Sequence, residues 1–189
     1  MNNVCKVSAL FLDRDGVINF DSGYIKSLDS LRLNYATIEL AKICNENNVR
    51  VFVVTNQSGI ARGYLTLEKL KEINEVISEH YQENGARIEK FFYCPHHPEG
   101  LLRKYKKVCD CRKPEPGLIL QAAKEYSINL KKAWLIGDKE RDVISGINAG
   151  IPESQCILNS SISLEELNTP LRYSNLMINA QKLIKILVS

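Results

Sequence analysis

Short apolar runs alternate with helical patterns along most of the chain. The run VSALFLD (7–13) is apolar at nearly every position and stops on an acid. VRVFVVTN (49–56), IEKFFYC (88–94), KAWLIGD (132–138) and SQCIL (154–158) read the same way, as strands buried on both faces. Between them lie amphipathic stretches with a period near 3.6. One spans 36–47, with Ala36, Leu40, Ile43 and Cys44 on one face. A second follows the N-capping residue Thr66, with Leu67, Leu70, Ile73, Ile77 and Tyr81 in register. A third follows Pro116 with Leu118, Ile119, Ala122 and Ala123, and a shorter one covers 140–149. Ser163 and Glu166 form a capping-box pattern ahead of a C-terminal helical region. Fully apolar strands alternating with helices predict an α/β fold, a Rossmann-like, doubly wound parallel sheet covered by helices. Ligands of such sheets bind beyond the carboxyl ends of the strands. Asp13, Thr55 and Asp138 stand at those ends, so the pattern alone locates a candidate site.

Composition narrows the class without changing this picture. The 189 residues are 44% hydrophobic and 25% charged, ordinary for one globular domain spanning 1–189. No apolar run reaches the roughly 18–20 residues of a membrane span, and the N-terminus lacks the features of a secretory signal. The expected setting is therefore the cytoplasm, with no membrane partner. A net charge of +3 is too small to argue for nucleic acid and fits basic groups gathered around an anionic substrate. Six cysteines without an export signal do not read as a disulfide framework. Cys5, Cys44 and Cys156 lie in or beside apolar segments and read as small core residues.

Chemistry appears where the strands end. In FLDRDGVIN, Asp13 and Asp15 leave the first strand two residues apart, with Gly16 permitting a tight turn behind them. By itself this is also how a surface turn is written. In VVTNQSGIARG, Thr55 and the amides after it can donate to phosphate oxygens. In GDKERD, Asp138 and Asp142 fall at the start of a helix, where carboxylates are favoured and where Asp142 also reads as a cap.

The segment from Tyr93 to Gly117, YCPHHPEGLLRKYKKVCDCRKPEPG, gathers three cysteines and two histidines. Zinc takes four nitrogen or sulfur donors in a tetrahedron. Cys94 with His96, and Cys109 with Cys111, make two close pairs separated by a basic loop. His97 competes with His96, and reduced thiols in an irregular loop are the plain alternative. His80 reads as a helix-surface residue.

Taken together, Asp13-Arg14-Asp15-Gly16, Thr55, Lys113 and Gly137-Asp138 with Asp142 resemble the haloacid dehalogenase-like (HAD) phosphohydrolase superfamily, in order, from about residue 7 to 158. The resemblance implies two-step phosphoryl transfer: Asp13 as nucleophile, Asp15 as general acid and base, and Thr55 and Lys113 stabilising the phosphoryl group. It also implies magnesium held by the Asp13 carboxylate, the Asp15 carbonyl and the Asp138 carboxylate. Because Asp15 is present, dehalogenation is not expected. Arg14 and Val17 are given no role.

The segments YCPHHP and CDCRKPEPG, with those above, look like the D-glycero-D-manno-heptose-1,7-bisphosphate 7-phosphatase family, related to the histidinol phosphatases. This closer resemblance implies a magnesium-dependent step in nucleotide-activated heptose biosynthesis. It makes Cys94, His96, Cys109 and Cys111 ligands of a structural zinc in a loop at about 93–113. Asp21, Ser22, Gly23, Tyr24, Thr55, Asn56, Gln57, Ser58, Arg112, Lys113 and Lys139 would meet the phosphorylated sugar. Only 40 residues separate Asp15 from Thr55, so no large cap is expected, and a monomer is the default. Two rivals stand beside this reading. One is a histidinol-phosphate phosphatase, which shares the zinc loop. The other is a zinc module holding nucleic acid through Arg103, Lys104, Lys106 and Lys107, disfavoured by the slight net charge and the acids at the strand ends. A DNA-end 3′-phosphatase is a further variant, but no kinase or DNA-binding extension accompanies it.

Overall fold

The computed structural model describes residues 7–21, 23–24, 27–159 and 175–189. Five parallel strands form one sheet: β1 (Ala9–Leu12), β2 (Arg50–Asn56), β3 (Lys90–Cys94), β4 (Ala133–Gly137) and β5 (Cys156–Leu158). Their spatial order is β3-β2-β1-β4-β5. Phe11 is the register partner of both Phe52 and Leu135, so β1 is the central strand. The winding reverses on either side of β1, which opens a crevice beyond its carboxyl end.

The helices are α1 (Tyr35–Glu46), α2 (Leu67–Glu83), α3 (Gly117–Tyr126), α4 (Glu140–Ala149), α5 (Asn175–Asn179) and α6 (Gln181–Leu187). Side chains of a strand alternate between faces, and here each face has its own core. Leu10 and Leu12, Val51 and Val53, and Trp134 and Ile136 point into a cluster with Leu40, Leu70, Ile73, Ile77 and Leu183. Ala9 and Phe11, Phe52 and Val54, and Ala133 and Leu135 point into another with Leu118, Ile119 and Ala122. This is why the strands read as unbroken apolar runs instead of alternating ones.

Thr66 caps a helix as anticipated, and Asn34, not singled out in the sequence, caps another. Thr66 Oγ1 accepts from Lys69 N at 3.1 Å, and Asn34 Oδ1 accepts from Ala36 N at 3.1 Å, capping α2 and α1. Tyr81, fully buried, donates from its hydroxyl to Thr37 Oγ1 at 2.7 Å and ties α2 to α1. Cys44 is a core residue as expected, whereas Cys156 is half-buried on the short edge strand and Cys5 lies outside the described residues. The capping box at Ser163 and Glu166 also lies outside them. Among the described residues, no helix is long and apolar enough to cross a membrane.

Candidate active site

Asp13 is the first residue past β1, and its N–H donates to Ile136 O of β4 at 2.9 Å, so sheet hydrogen bonding extends up to the acid. Its carboxylate meets Lys113, which arrives from the loop before α3. Lys113 Nζ lies 2.6 Å from Asp13 Oδ1, 2.7 Å from Asp142 Oδ1 and 2.8 Å from Val54 O. Lys113 is only 3% exposed and Asp13 6%. Burial pushes the Asp13 carboxyl up to about 7 against the pull of Lys113, with Asp142 and Asp15 adding to the rise. Burial acts to lower the Lys113 ammonium, but Asp13 and Asp142 outweigh it and hold it above its usual value. A long, flexible cation is thus fixed at the end of the central strands by two carboxylates and a carbonyl.

Asp142 serves both roles left open by its sequence. It caps α4 by accepting from Lys139 N at 3.0 Å, and it is a counter-charge to Lys113. Gly137 makes this possible, because any Cβ there would run into the Asp142 side chain.

Asp13, Asp138 and Asp142 present carboxylate oxygens within 4.8 Å of one another. Asp142 has one oxygen on Lys113 and the other on the helix cap, whereas Asp13 meets Lys113 through Oδ1, so Asp13 and Asp138 form the oxygen donor pair suited to a hard divalent cation. Gly16 has a φ of +91° and passes so close to the Asp138 carboxylate that a Cβ would overlap it. The backbone after Asp15 is therefore pressed against the acid, as a shared cation site requires.

The Asp15 carboxylate turns to other partners. Arg14 Nη2 lies 2.9 and 3.0 Å from its two oxygens, Asn19 Nδ2 donates to Oδ1 at 3.1 Å, and Gln57 Nε2 donates to Oδ2 at 2.8 Å. Burial acts to raise this carboxyl, but the Arg14 charge and these hydrogen bonds prevail and hold it below the usual range. Gln57 also accepts from Arg14 at 3.1 Å and donates to Thr55 Oγ1 at 2.9 Å. Thr55 Oγ1 thereby accepts within the protein and keeps its own proton for a ligand. Arg14, to which the sequence gave no role, is 1% exposed and anchors this network. A charged residue between two aspartates after a strand reads as a surface turn, so only its burial reveals it.

Above these groups opens a cavity of about 360 Å³ whose wall includes Asp21, Gly23, Tyr24, Ser58, Arg112 and Lys139. Lys139 Nζ reaches Asp21 Oδ2 at 2.9 Å and Asp138 Oδ2 at 3.6 Å, bridging the loop after β1 to the end of β4. Tyr24 packs edge-on against Tyr64 with ring centres 5.0 Å apart, and its hydroxyl is 3.5 Å from Ser58 Oγ. Ser22 lies outside the described residues. Asn56, expected at the sugar, also braces the lysine loop: its Nδ2 donates to Lys113 O and its Oδ1 accepts from Lys113 N, both at 3.0 Å.

Cys94, His96, Cys109 and Cys111 converge beside this cavity, their donor atoms within 4.8 Å of one another. Cys111 Sγ lies 3.1 Å from Cys94 Sγ, 3.2 Å from Cys109 Sγ and 3.3 Å from His96 Nδ1. A tetrahedron of 2.3 Å zinc–sulfur bonds has edges of about 3.8 Å, so the four donors already stand near the corners of one. Hydrogen bonding from Cys94 brings the Cys111 thiol down to about 5, while hydrogen bonding to Cys111 pushes the Cys94 thiol up. The thiols share their protons, which a soft cation would displace. The choice between histidines is made by geometry. His97 accepts from Glu99 N at 3.1 Å on Nδ1 and faces Arg62 Nη2 at 3.2 Å on Nε2, away from the thiols.

The chain is similar to proteins of known activity. A family model described as HAD-hydrolase-like matches residues 110–158. The D-glycero-beta-D-manno-heptose-1,7-bisphosphate 7-phosphatase of Helicobacter pylori is 38% identical, over 82% of this chain and 86% of that protein. The alpha-named enzyme of Photorhabdus laumondii is 39% identical, over 81% of this chain and 82% of its own. A crystal structure of D,D-heptose 1,7-bisphosphate phosphatase from B. bronchiseptica, complexed with magnesium and phosphate, superposes with a TM-score of 0.77. It is 26% identical, and the match covers 95% of this chain and 99% of that one. At this identity and over this share of both chains, the chain belongs to the D-glycero-D-manno-heptose-1,7-bisphosphate 7-phosphatase family of HAD-like hydrolases.

Proposed function

We propose that this protein is a magnesium-dependent phosphatase that removes the 7-phosphate of D-glycero-D-manno-heptose 1,7-bisphosphate in nucleotide-activated heptose biosynthesis. The observation that carries the reading is the buried contact of Lys113 with Asp13 at 2.6 Å, beside Thr55 and Asp138. A nucleophilic carboxylate, a fixed cation, a hydroxyl donor and a second acid meet where a phosphate of a small ligand would sit.

The steps follow from these groups. Asp13 attacks phosphorus in line and the bond from phosphorus to the sugar oxygen breaks, leaving an aspartyl phosphate. Asp15 gives the departing oxygen its proton. Its carboxyl is held low in the free protein, and an anionic phosphate alongside raises its proton affinity. Water then attacks the phosphorus, Asp15 takes the water's proton, and the bond to Asp13 breaks to release inorganic phosphate. Lys113 and the Thr55 hydroxyl offset charge on the equatorial oxygens throughout. Asp13, Asp138 and the Asp15 carbonyl would hold magnesium, which supplies charge that keeps Asp13 ionised and neutralises the phosphate.

Cys94, His96, Cys109 and Cys111 would hold zinc with all four positions filled by protein, a structural site without an open position. Arg112 and Lys113 follow the last ligand directly, so that site would fix the lysine's approach. The 189 residues would act as one domain, with this loop in place of a large cap. A monomer would be the active unit. The thiol cluster fits the reducing cytoplasm.

Turnover of the heptose bisphosphate and of histidinol phosphate, each with magnesium, tests the reading. Faster hydrolysis of histidinol phosphate overturns it. Asp13→Asn should remove turnover of the bisphosphate while the circular dichroism spectrum is unchanged, and retained activity would refute the mechanism.

A further inference from the structure

Asp15 acts in both halves of the proposed reaction, giving a proton to the departing sugar oxygen and then taking one from water. A carboxyl free to rotate would spend little time within reach of either. Here both of its oxygens are held. Arg14 donates to Oδ1 from Nε at 3.1 Å and from Nη2 at 2.9 Å, and to Oδ2 from Nη2 at 3.0 Å. Asn19 donates to Oδ1 at 3.1 Å and Gln57 to Oδ2 at 2.8 Å. Arg14, Asn19 and Gln57 are at most 5% exposed, whereas the Asp15 side chain keeps 19% exposure and lines the cavity. Buried donors thus grip a carboxylate that still faces the ligand.

The donors are braced in turn. The Gln57 amide has one permitted orientation, because a guanidinium only donates and a carboxylate only accepts. Its Oε1 accepts from Arg14 Nη2 at 3.1 Å, and its Nε2 serves Thr55 Oγ1 at 2.9 Å as well as Asp15. Gln57 N donates to Cys94 O at 2.8 Å, tying this residue to the end of β3. Ile18 N and Asn19 N close the turn after β1 onto Arg14 O at 2.9 and 3.0 Å. One amide therefore sets the spacing between the acid that moves the protons and the hydroxyl that would meet the phosphoryl group.

The geometry points to Arg14 and Gln57 as a clamp that positions Asp15 for both proton transfers. They act through Asp15 and need not touch the substrate, so they are positioning residues. This gives Gln57 a task other than the sugar contact expected of it, and it rests on the reading of the chain as a phosphatase that forms an aspartyl phosphate.

The test takes Gln57→Met, which keeps volume, and Arg14→Lys, which keeps charge. Each is compared with wild type on the heptose bisphosphate and on p-nitrophenyl phosphate, with magnesium. Nitrophenolate leaves without a proton, so forming the aspartyl phosphate from it does not call on Asp15, whereas hydrolysing that intermediate does. With the acid displaced, kcat/KM for the bisphosphate should fall about ten- to a hundredfold. For the aryl phosphate kcat/KM should stay within about threefold. Stopped-flow on the aryl phosphate should show a burst of about one nitrophenolate per active site. The steady phase that follows should run about tenfold or more slower than in wild type. That phase begins after the organic group has left, so a lost sugar contact cannot slow it. Arg14→Lys leaves the contact between Gln57 and Thr55 in place, so a loss common to both variants belongs to Asp15. Equal losses of kcat/KM on both substrates would mean damage to the phosphate pocket, and an unslowed steady phase would return Gln57 to the sugar. Either result overturns the clamp and leaves the phosphatase reading standing. Should wild type ignore the heptose bisphosphate and hydrolyse another alkyl phosphate, the substrate reading falls, and that alkyl phosphate takes its place in the same comparison. Wild type inert toward every phosphate monoester removes both.

Discussion

Replacing Lys113 by Met keeps most of the side chain's volume and deletes only its charge. Two carboxylates, Asp13 and Asp142, then lose a partner at 2.6 and 2.7 Å in a place where none of the three side chains is more than 8% exposed. Breaking a buried pair by removing one member costs about 3–5 kcal/mol, and with two acids stranded the upper end is expected. The exposed pair of Lys69 and Glu72, at 3.0 Å, provides the control. Lys69→Met should cost less than about 1 kcal/mol. The deficit at Lys113 should also depend on pH. Without the ammonium the Asp13 carboxyl loses the neighbour that lowers it and binds a proton still more readily folded than unfolded, where its value is near 3.9. Folded protein then carries the extra proton, so the variant's stability falls as pH rises from about 4, and its gap from wild type narrows toward acid. Urea denaturation at pH 5 and pH 8 measures both effects. Turnover of the heptose bisphosphate should fall by about 10²–10³ from loss of charge at the phosphoryl group. A deficit below about 1 kcal/mol, or one that does not shrink in acid, would refute the account of Lys113 as the hub of a buried charge cluster.

Other expectations follow from neighbouring features. Cys109→Ser should release zinc, measured by elemental analysis, and lower thermal stability and activity together; full activity without zinc would contradict a structural metal. Gly16→Ala should cost about 1–2 kcal/mol from its left-handed backbone alone, and should weaken magnesium activation because the new methyl displaces Asp138. Because burial holds the Asp13 carboxyl near 7, activity at low magnesium should rise with pH through that region. Saturating magnesium should move this rise to lower pH, and a limb unaffected by magnesium would show that Asp13 is not its source.

Much of the fold was legible because burial on both faces writes itself into a strand as an uninterrupted apolar run. Five such runs separated by helical periods imply a parallel sheet, and the sheet implies where its ligand binds. Asp13, Thr55 and Asp138 can therefore be singled out from the pattern of the chain. The thiol cluster was legible down to its two pairs, since local spacing limits which donors can meet, but His96 and His97 are neighbours and spacing could not separate them. Ring orientation did, with His97 turned toward Arg62.

What the sequence by itself determined is the periodicity, the caps and the chemical identity of groups at strand ends, all of which depend on residues near one another in the chain. What only the tertiary structure decided is how charge is shared among distant segments. Lys113 lies 100 residues from Asp13 and is placed by Asn56, Val54 and Asp142. Arg14 looked like a turn residue and proved to be a buried anchor, while Arg62, Arg112 and Arg141 became one positive wall. The reason is physical. Apolar burial is roughly additive along an element and leaves a local pattern, whereas the worth of a charge depends on every other charge and on the water excluded around it.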